Sequence, residues 1–272
     1  MSDILQHWRA GEGLPDVLVI DGHVHAKEGS GGSNFASVEE VGREGAAYMD
    51  ANGVDAACVV SVGYVTPGSD YRNGNDDLIA LQRLLPDRLT CFVHINPNDS
   101  QEVILAELDR CERAGLRCIK LLNTYQQNYP AEGPNLMELY RFARERRMLV
   151  FNHSWPPAEL ARIATQFPEI DFVFGHYNPS QDAVLRERAN VYANIWTLNS
   201  MGFLERGVRN VGPGKFLYGS DAFLNPMSVG IGLVVYADVP DEQKRMILGL
   251  TQAKLLDRIG ALPRDLKKRF RV

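Results

Sequence analysis

The chain has 272 residues, of which 45% are hydrophobic and 23% are charged, as in an ordinary globular protein with a large core. Its net charge of −5 provides no basic surface for nucleic acid or for an anionic membrane. No stretch approaches the roughly 20 apolar residues that span a bilayer, and residues 1–13 lack the apolar core of a secretion signal. The four cysteines have no C-x-x-C spacing, so we expect free thiols and a cytoplasmic location.

Short apolar runs alternate with helical patterns along the chain. The apolar runs predict eight buried strands, at residues 17–25, 54–62, 89–95, 116–121, 148–153, 170–176, 191–198 and 214–221. Capping residues and Pro or Gly stop signals predict helices from Ser37, over residues 75–85, 100–114 and 135–147, from Pro157, and over residues 241–259.

This alternation favours a closed parallel (β/α)8 TIM barrel, in a single domain over residues 1–272, over an open doubly wound sheet. No strand is followed by the G-x-G-x-x-G order that a nucleotide-binding open sheet carries. The open sheet stays an alternative, because hydrophobic periodicity does not show whether the outer strands meet.

Side chains with metal-binding or acid–base chemistry end four of the predicted strands. His23 and His25 stand two residues apart at the end of the first strand, so both imidazoles point to the same face. The fifth and sixth strands end at His153 and His176, and the eighth ends at Asp221. In a barrel, catalytic groups come from the carboxyl ends of the strands, so we expect these five side chains to share one site.

The order of these motifs resembles the amidohydrolase superfamily. The motifs are IDGHVH at residues 20–25, NH at 152–153, GH at 175–176 and YGSD at 218–221. The chain is most similar to the amidohydrolase-related branch, which contains small metal-dependent hydrolases and decarboxylases of the aminocarboxymuconate-semialdehyde type. Residues 117–121, 166–168 and 247–256 continue the resemblance, which therefore covers residues 16–260.

The resemblance implies that His23, His25 and His153 bind one divalent metal ion and that Asp221 completes or approaches its ligand shell. It also implies that His176 acts as an acid/base or orients the substrate. Three imidazoles, a carboxylate and an open position form a catalytic site, in which the metal lowers the pKa of bound water toward about 7 and Asp221 or His176 can take the proton as the catalytic residue. Zinc suits such ligands, and manganese, iron or cobalt fit them too. The alternatives are structural core histidines and an Asp221 that caps the following turn.

Lys120 lies in the fourth strand, where binuclear members of the superfamily carry a carboxylated lysine that bridges two metals. Lysine also occurs there in mononuclear relatives, and Lys120 sits nearer the middle of its apolar run than its tip. We therefore predict one metal and an unmodified Lys120 that contacts a substrate anion or a neighbouring carboxylate. His94, near the end of the third strand, is predicted to be structural.

Further candidates for substrate contacts follow strand ends, and an aromatic ring among them can stack on a planar substrate. They are Tyr125, Trp155, Tyr177, Asn178 and Asn199. The alternative is that they pack the barrel rim. The predicted loops at residues 27–35, 63–74, 123–134 and 222–229 are long for such connections, so they are candidates for substrate contacts or lids.

Two activities fit this site. The leading hypothesis is hydrolysis of a C–O or C–N bond in a small molecule, such as a lactone, ester or cyclic amide, by a metal-activated water. The second is decarboxylation of an unsaturated or aromatic acid, in which the metal orients the substrate. A deoxyribonuclease is disfavoured, because its glutamate motif is replaced by Asn96-Pro97 and Asn123-Thr124; a barrel that only binds is a further alternative. We expect a small-molecule partner, no nucleic acid or membrane, and a chain compatible with a homo-oligomer.

Overall fold

The computed structural model describes residues 2–26, 37–61, 70–127, 129–198, 200–222 and 224–270. The strands are β1 Ile20–His25, β2 Ala56–Val60, β3 Leu89–His94, β4 Cys118–Leu121, β5 Leu149–Asn152, β6 Phe172–Phe174, β7 Val191–Asn194 and β8 Phe216–Leu217. The helices are α1 Asp3–Arg9, α2 Val38–Ala51, α3 Tyr71–Leu84, α4 Gln101–Arg113, α5 Pro134–Arg146, α6 Pro157–Gln166, α7 Asp182–Glu187, α8 Phe203–Val211, α9 Met227–Val235, α10 Asp241–Arg245, α11 Thr251–Arg258 and α12 Arg264–Phe270.

The strands form one parallel sheet in which each strand pairs with the next in chain order, from β1 to β8. The segment after β8 then runs along β1 and closes the circle. Gly22 N donates to Tyr218 O at 2.9 Å, and Asp221 N donates to His23 O at 2.9 Å. A parallel bridge between Val24 and Ala222 continues this contact. The predicted (β/α)8 barrel is confirmed, and the open sheet is excluded.

Buried side chains of the strands and of the residues next to them form a packed core inside the barrel, as expected for this fold. Those in the interior cluster are Leu18, Ile20, Ala56, Cys58, Val60, Phe92, Cys118, Leu149, Phe151, Val173, Tyr192, Trp196 and Leu217. Leu255 and Leu256 of α11 belong to the same cluster. The four cysteines are buried and free, as expected. Across the described residues, no helix is both long and apolar enough to cross a membrane.

A β-bulge in β1 shapes the strand that carries the first two histidines. Asp21 pairs with Ala57 and Val24 pairs with Val59, so Gly22 and His23 together lie opposite one residue of β2. Gly22 is required there, because a Cβ would lie 2.8 Å from Tyr218 O on the neighbouring segment. The bulge therefore lets the backbone of β1 approach the end of β8 closely.

Several element boundaries differ from those predicted. The serines predicted near the starts of α2 and α4, Ser37 and Ser100, do cap these helices. However, α3 begins at Tyr71 and is capped by Asp70, five residues before the predicted cap at residue 75, because an Asn-Gly-Asn stretch resembled a loop but lies in the first turns of the helix. The predicted eighth strand is paired only at Phe216–Leu217 in the regular ladder. The loop predicted at residues 27–35 and the first part of the loop predicted at residues 63–74, up to residue 69, lie outside the described residues. Residues 71–74 of the second loop belong to α3 instead.

The final helical region, predicted as one helix over residues 241–259, contains a π-helical turn at Met246–Leu250 between α10 and α11. Gly249 lies in this turn, against the backbone of Leu18 at the start of the barrel. A Cβ on Gly249 would overlap the Leu18 carbonyl, which cannot rotate away as a side chain would. The glycine therefore sets how closely this helical segment approaches the barrel.

We predict that Gly249→Ala lowers the free energy of unfolding by about 1–3 kcal/mol, as expected for overpacking, although alanine is the better helix former. The matched control is Gly232→Ala in α9, where an added Cβ meets no atom within 4 Å. Helix propensity alone predicts that this variant is stabilised by up to about 1 kcal/mol. Urea unfolding of both variants measures the difference, and equal effects would show that the contact with Leu18 is unimportant.

Candidate active site

Three side chains converge at the carboxyl end of β1, where the chain after β8 meets it. His25 Nε2 lies 2.7 Å from Asp221 Oδ1, and His23 Nε2 lies 3.3 Å from the same oxygen. The three ligand atoms all lie within 4.8 Å of one another. Among the described residues, this is the one group of His, Cys, Asp or Glu side chains whose spacing suits a shared metal ion.

The closure of the barrel places Asp221 beside the two histidines. Its backbone N–H donates to the carbonyl of His23, and its φ of +66° turns the side chain into the barrel mouth. Burial alone would raise the pKa of the Asp221 carboxyl, but hydrogen bonds to His23 and His25 hold it well below its usual range. The carboxylate is therefore ionised and available as a ligand.

The donor set fits a divalent cation. His23 and His25 are almost fully buried, and their Nδ1 atoms have no hydrogen-bond partner among the described residues. Burial, and next the charge of Lys120, lower the pKa of His23 well below its usual value. The ring is therefore neutral, which is the form of imidazole that binds a metal.

His153 and His176, which follow β5 and β6, lie against each other on the other side of the barrel mouth. Their Nε2 atoms are 3.1 Å apart. Burial, and next the charge of Lys120, lower the pKa of His153 to about 3, so this ring is neutral as well. His153 is thus near the group formed by His23, His25 and Asp221 but contacts His176, and its role as a further metal ligand stays a prediction.

The indole ring of Trp196 connects the two groups of histidines. It stacks on His23 with ring centroids 4.0 Å apart, and its centroid lies 4.9 Å from that of His176 and 5.9 Å from that of His153. Trp196 is not among the residues predicted from the sequence, because it lies inside the apolar run at residues 191–198, which predicts one continuous strand. The available signal was its place near the end of that run, where side chains face the mouth of a barrel.

Lys120 is fully buried in the barrel interior, and its Nζ has no hydrogen-bond partner among the described residues. The Nζ lies 3.9 Å from the ring centroid of Phe151 and 4.9 Å from that of Trp196. Burial lowers the pKa of this amine to about 7, an effect that Asp221 partly offsets. Lys120 is therefore an amine that gains or loses its proton near neutral pH and that contacts no anion among the described residues.

His94 lies beside Lys120 on the neighbouring strand, and its surroundings fit the structural role predicted for it. Asn75 clamps its backbone by donating to His94 O at 2.9 Å and accepting from His94 N at 2.8 Å. Gln126 lies 3.1 Å from its Nε2. Burial, and next the charge of Lys120, lower the pKa of His94 to about 3.

The remaining candidates for substrate contacts lie in different surroundings. Tyr125 is 54% exposed, and its ring meets that of His153 edge-on with centroids 5.1 Å apart, so it lies at the barrel mouth. Trp155 is buried in the layer between barrel and helices, where its ring lies 6.3 Å from that of Tyr140.

Asn178 caps the short 3-10 helix Pro179–Gln181, with its side chain accepting from Ser180 N. Asn178 is exposed, whereas the preceding Tyr177 is buried and donates to Asp182 Oδ1 at 2.7 Å. Both residues thus have structural contacts on the loop after β6. Asn199 lies outside the described residues.

Left-handed backbone is concentrated at this end of the barrel. His176, Thr197 and Asp221, which follow β6, β7 and β8, have φ angles of +55°, +54° and +66°. Non-glycine residues rarely adopt such angles, and they cluster at functional sites when they do. Thr197, which sequence analysis also missed, places its hydroxyl oxygen 2.7 Å from His176 Nδ1.

Several solved structures have the same fold as this chain. An uncharacterised TIM-barrel protein from Bordetella bronchiseptica is 16% identical, with a TM-score of 0.75, over 90% of this chain and 100% of that one. A 5-carboxyvanillate decarboxylase from Novosphingobium aromaticivorans, complexed with manganese and 4-hydroxy-3-methoxy-5-nitrobenzoic acid, is 14% identical, with a TM-score of 0.70, over 89% and 96%. A probable 2-pyrone-4,6-dicarboxylic acid hydrolase from Acinetobacter baumannii, with citric acid bound, is 14% identical, with a TM-score of 0.62, over 88% and 99%. At these identities, the similarity shows the fold.

Family membership comes from the sequence comparison. No curated protein matches the chain. A family model described as amidohydrolase (Amidohydro_2) matches residues 20–258, which begin with β1 and end with α11. The match spans the whole barrel and includes His23, His25 and Asp221. The chain therefore belongs to this amidohydrolase family, whose members are enzymes.

Proposed function

We propose that the protein is a metal-dependent hydrolase that cleaves a C–O or C–N bond in a small molecule, such as a lactone, an ester or a cyclic amide. The observation that carries this proposal is the convergence of His23 and His25 on one oxygen of Asp221, with His176 nearby. Such a site combines a place for a cation with a separate group that can accept a proton, as hydrolysis requires.

His23, His25 and Asp221 would hold one divalent ion, and His153 is the nearest further histidine that could join them. Zinc is our first choice because two or three of the ligands are imidazoles, and manganese, which a structural neighbour contains, fits them too. The ion would supply Lewis acidity toward the bond to be cleaved. Asp221 would orient the two imidazoles, because it contacts both rings.

His176 would move the proton. Trp196 Nε1 donates to its Nε2 at 3.2 Å, so this nitrogen is the unprotonated one, and it also lies 3.1 Å from His153 Nε2. In hydrolysis, the attacking water would replace the indole N–H as the partner of Nε2, which would take its proton and return it to the leaving group. Burial lowers the pKa of this ring, an effect that the charge of Asp221 partly offsets and that of Lys120 increases.

Lys120 would select an anionic substrate. Its Nζ contacts no anion among the described residues, and burial of an unpaired charge is costly, so the protonated amine gains most from an anionic partner. A carboxylate on the substrate would pair with it, and the rings of Phe151 and Trp196 would pack on a flat portion of the same molecule. Lys120 lies below the barrel mouth, so this contact requires the substrate to enter between the histidines.

A second candidate function is decarboxylation of an unsaturated or aromatic acid. The apolar rings beside Lys120 favour it, because loss of charge from a carboxylate is easier in a dry, apolar site. His176 would then deliver a proton to the carbon that loses carbon dioxide. One structural neighbour is a 5-carboxyvanillate decarboxylase, and another is a probable hydrolase, so both reactions occur on this fold.

The first prediction from this site concerns metal content. We expect one divalent ion per chain after reconstitution with zinc. We expect His23→Ala to lose this ion, because His25 and Asp221 are then left to hold it. The control is His7→Ala, which removes an exposed histidine in the last turn of α1 that pairs with Glu12. Elemental analysis gives the stoichiometry. Two ions per chain, with a modified Lys120, would contradict the mononuclear site.

The second prediction concerns the reaction. With a substrate found in a panel of lactones, esters and cyclic amides, hydrolysis in 18O-labelled water puts one labelled oxygen into the product, as mass spectrometry detects. His176→Asn should keep the metal and lower turnover by roughly 10²–10⁴-fold, as for a lost general acid/base. Release of carbon dioxide without the label would favour decarboxylation, and loss of metal from His176→Asn would make His176 a ligand.

The third prediction concerns Lys120 and pH. Because burial lowers its pKa from 10.5 to about 7, the unfolded chain binds one more proton than the folded chain between these pH values. In metal-free protein this position therefore opposes folding most below pH 7, and the effect disappears as pH rises toward 10.5. We expect Lys120→Met to be more stable than the wild type by a few kcal/mol at pH 6.5 and by much less at pH 9.5.

Urea unfolding at the two pH values provides the measurement. Lys254→Met in α11 is the control, because Lys254 is exposed and its replacement should change stability equally at both pH values. A stability difference for Lys120→Met that does not depend on pH would show that Lys120 stays protonated in the folded protein over the whole interval.

A further inference from the structure

The turn after β7 places two consecutive side chains on the two ring nitrogens of His176. Thr197 Oγ1 lies 2.7 Å from Nδ1, and Trp196 Nε1 lies 3.2 Å from Nε2. An indole N–H can only donate, so Nε2 is the nitrogen that accepts. In the neutral ring, Nδ1 then carries the proton and donates to the hydroxyl of Thr197. The contact with Trp196 thus selects the tautomer, and the hydroxyl of Thr197, which accepts from Nδ1, holds the ring in this place.

The backbone of Thr197 indicates that its hydroxyl has a function. Its φ of +54° is unfavourable for a β-branched residue, whereas glycine or asparagine adopts this conformation readily. Of the six non-glycine residues with positive φ in the described part of the chain, Thr197 is the one that is β-branched. Its side chain is exposed, so packing does not account for the choice of threonine. The hydrogen bond to His176 does.

Hydrogen bonds on both sides of Thr197 hold the turn after β7 in place. Asn194, the last residue of β7, accepts from Trp196 N at 3.2 Å and donates to Tyr218 O at 3.4 Å. Leu198 N donates to Ile195 O at 3.2 Å. These bonds fix the path of the chain on both sides of Thr197, so its hydroxyl stays at a constant distance from the imidazole of His176.

We propose that Thr197 is a positioning residue: its hydroxyl holds the ring of His176 where the indole N–H of Trp196 imposes the Nδ1-protonated tautomer, with the unprotonated Nε2 between Trp196 and His153. Without this hydroxyl the ring is free to turn away from Trp196, and both tautomers become accessible. The proposal deepens the acid/base role of His176 and rests on it for its catalytic meaning. The tautomer itself is a property of the protein alone. A ring free to adopt the other tautomer would present an N–H where a proton acceptor is required.

Three variants separate the hydroxyl from the backbone. Thr197→Val keeps the branched shape and the unfavourable backbone but removes the hydroxyl. Thr197→Ser keeps the hydroxyl. Thr197→Gly removes the hydroxyl and relieves the backbone, so it should unfold at a higher temperature than Thr197→Val. If the residue were only structural, the loss of function in these variants would follow their stability.

The readout is the tautomer of His176 in zinc-loaded protein labelled with 15N-histidine, measured from two-bond 1H–15N correlations. His176→Asn assigns the signals of this ring. We expect the Nδ1-protonated form in the wild type and in Thr197→Ser, and a mixture of tautomers in Thr197→Val and Thr197→Gly. With a substrate, kcat should fall by roughly 10–100-fold in the last two variants, with KM little changed and with Thr197→Ser close to the wild type.

Two results would overturn the proposal. One is a single Nδ1-protonated tautomer in Thr197→Val, and the other is equal behaviour of Thr197→Val and Thr197→Ser. If the tautomer shifts as expected but kcat does not change in any variant, Thr197 does position the ring and the acid/base role proposed for His176 is wrong. Failure of the positioning and failure of the proposed function are thus distinguished.

Discussion

The hydrogen bond from Asp221 N to His23 O is the contact on which the site depends, because it belongs to the seam that closes the barrel. β8 is short, and the chain after it forms backbone hydrogen bonds with Gly22, His23 and His25 of β1. The same seam that satisfies the last sheet edge therefore brings a carboxylate from the end of the chain to two histidines near its beginning. Gly22 permits this approach, since any side chain there would meet the neighbouring backbone.

The barrel and its histidines could be predicted from the sequence, because strands buried on both faces read as continuous apolar runs and a polar residue that ends such a run lies at the mouth. The turn after β7 could not be predicted from the sequence. Residues 191–198 form one apolar run, but the strand ends at Asn194 and the chain then turns. Hydrogen bonds from Asn194 to Trp196 and to Tyr218 fix this turn, and no local pattern encodes a contact with the next strand. The roles of Trp196 and Thr197 follow from that contact.

Backbone conformation at the barrel mouth departs from local preference at three successive strand ends. His176, Thr197 and Asp221 all have positive φ, although none is glycine. Each of the three side chains hydrogen-bonds another side chain of the site, so the unfavourable backbone is tied to the placement of functional groups. Regular apolar packing in the rest of the barrel supplies the stability that keeps these residues in place.

The charges in the barrel interior link the proposed metal ion, Lys120 and the charge of the substrate. The carboxylate that acts on Lys120 is Asp221, which is already shared by two histidines. A second carboxyl lies nearby, that of the buried Asp21 in β1. It accepts from the N–H of Ser220 and from the hydroxyl of Tyr218, and burial raises its pKa to about 6. A divalent ion at the histidines would add positive charge beside Lys120, whose Nζ has no hydrogen-bond partner among the described residues, and would favour the neutral amine there. An anionic substrate would offset that charge and favour the ammonium form of Lys120, which is the physical reason to propose an acid as the substrate whichever bond is broken.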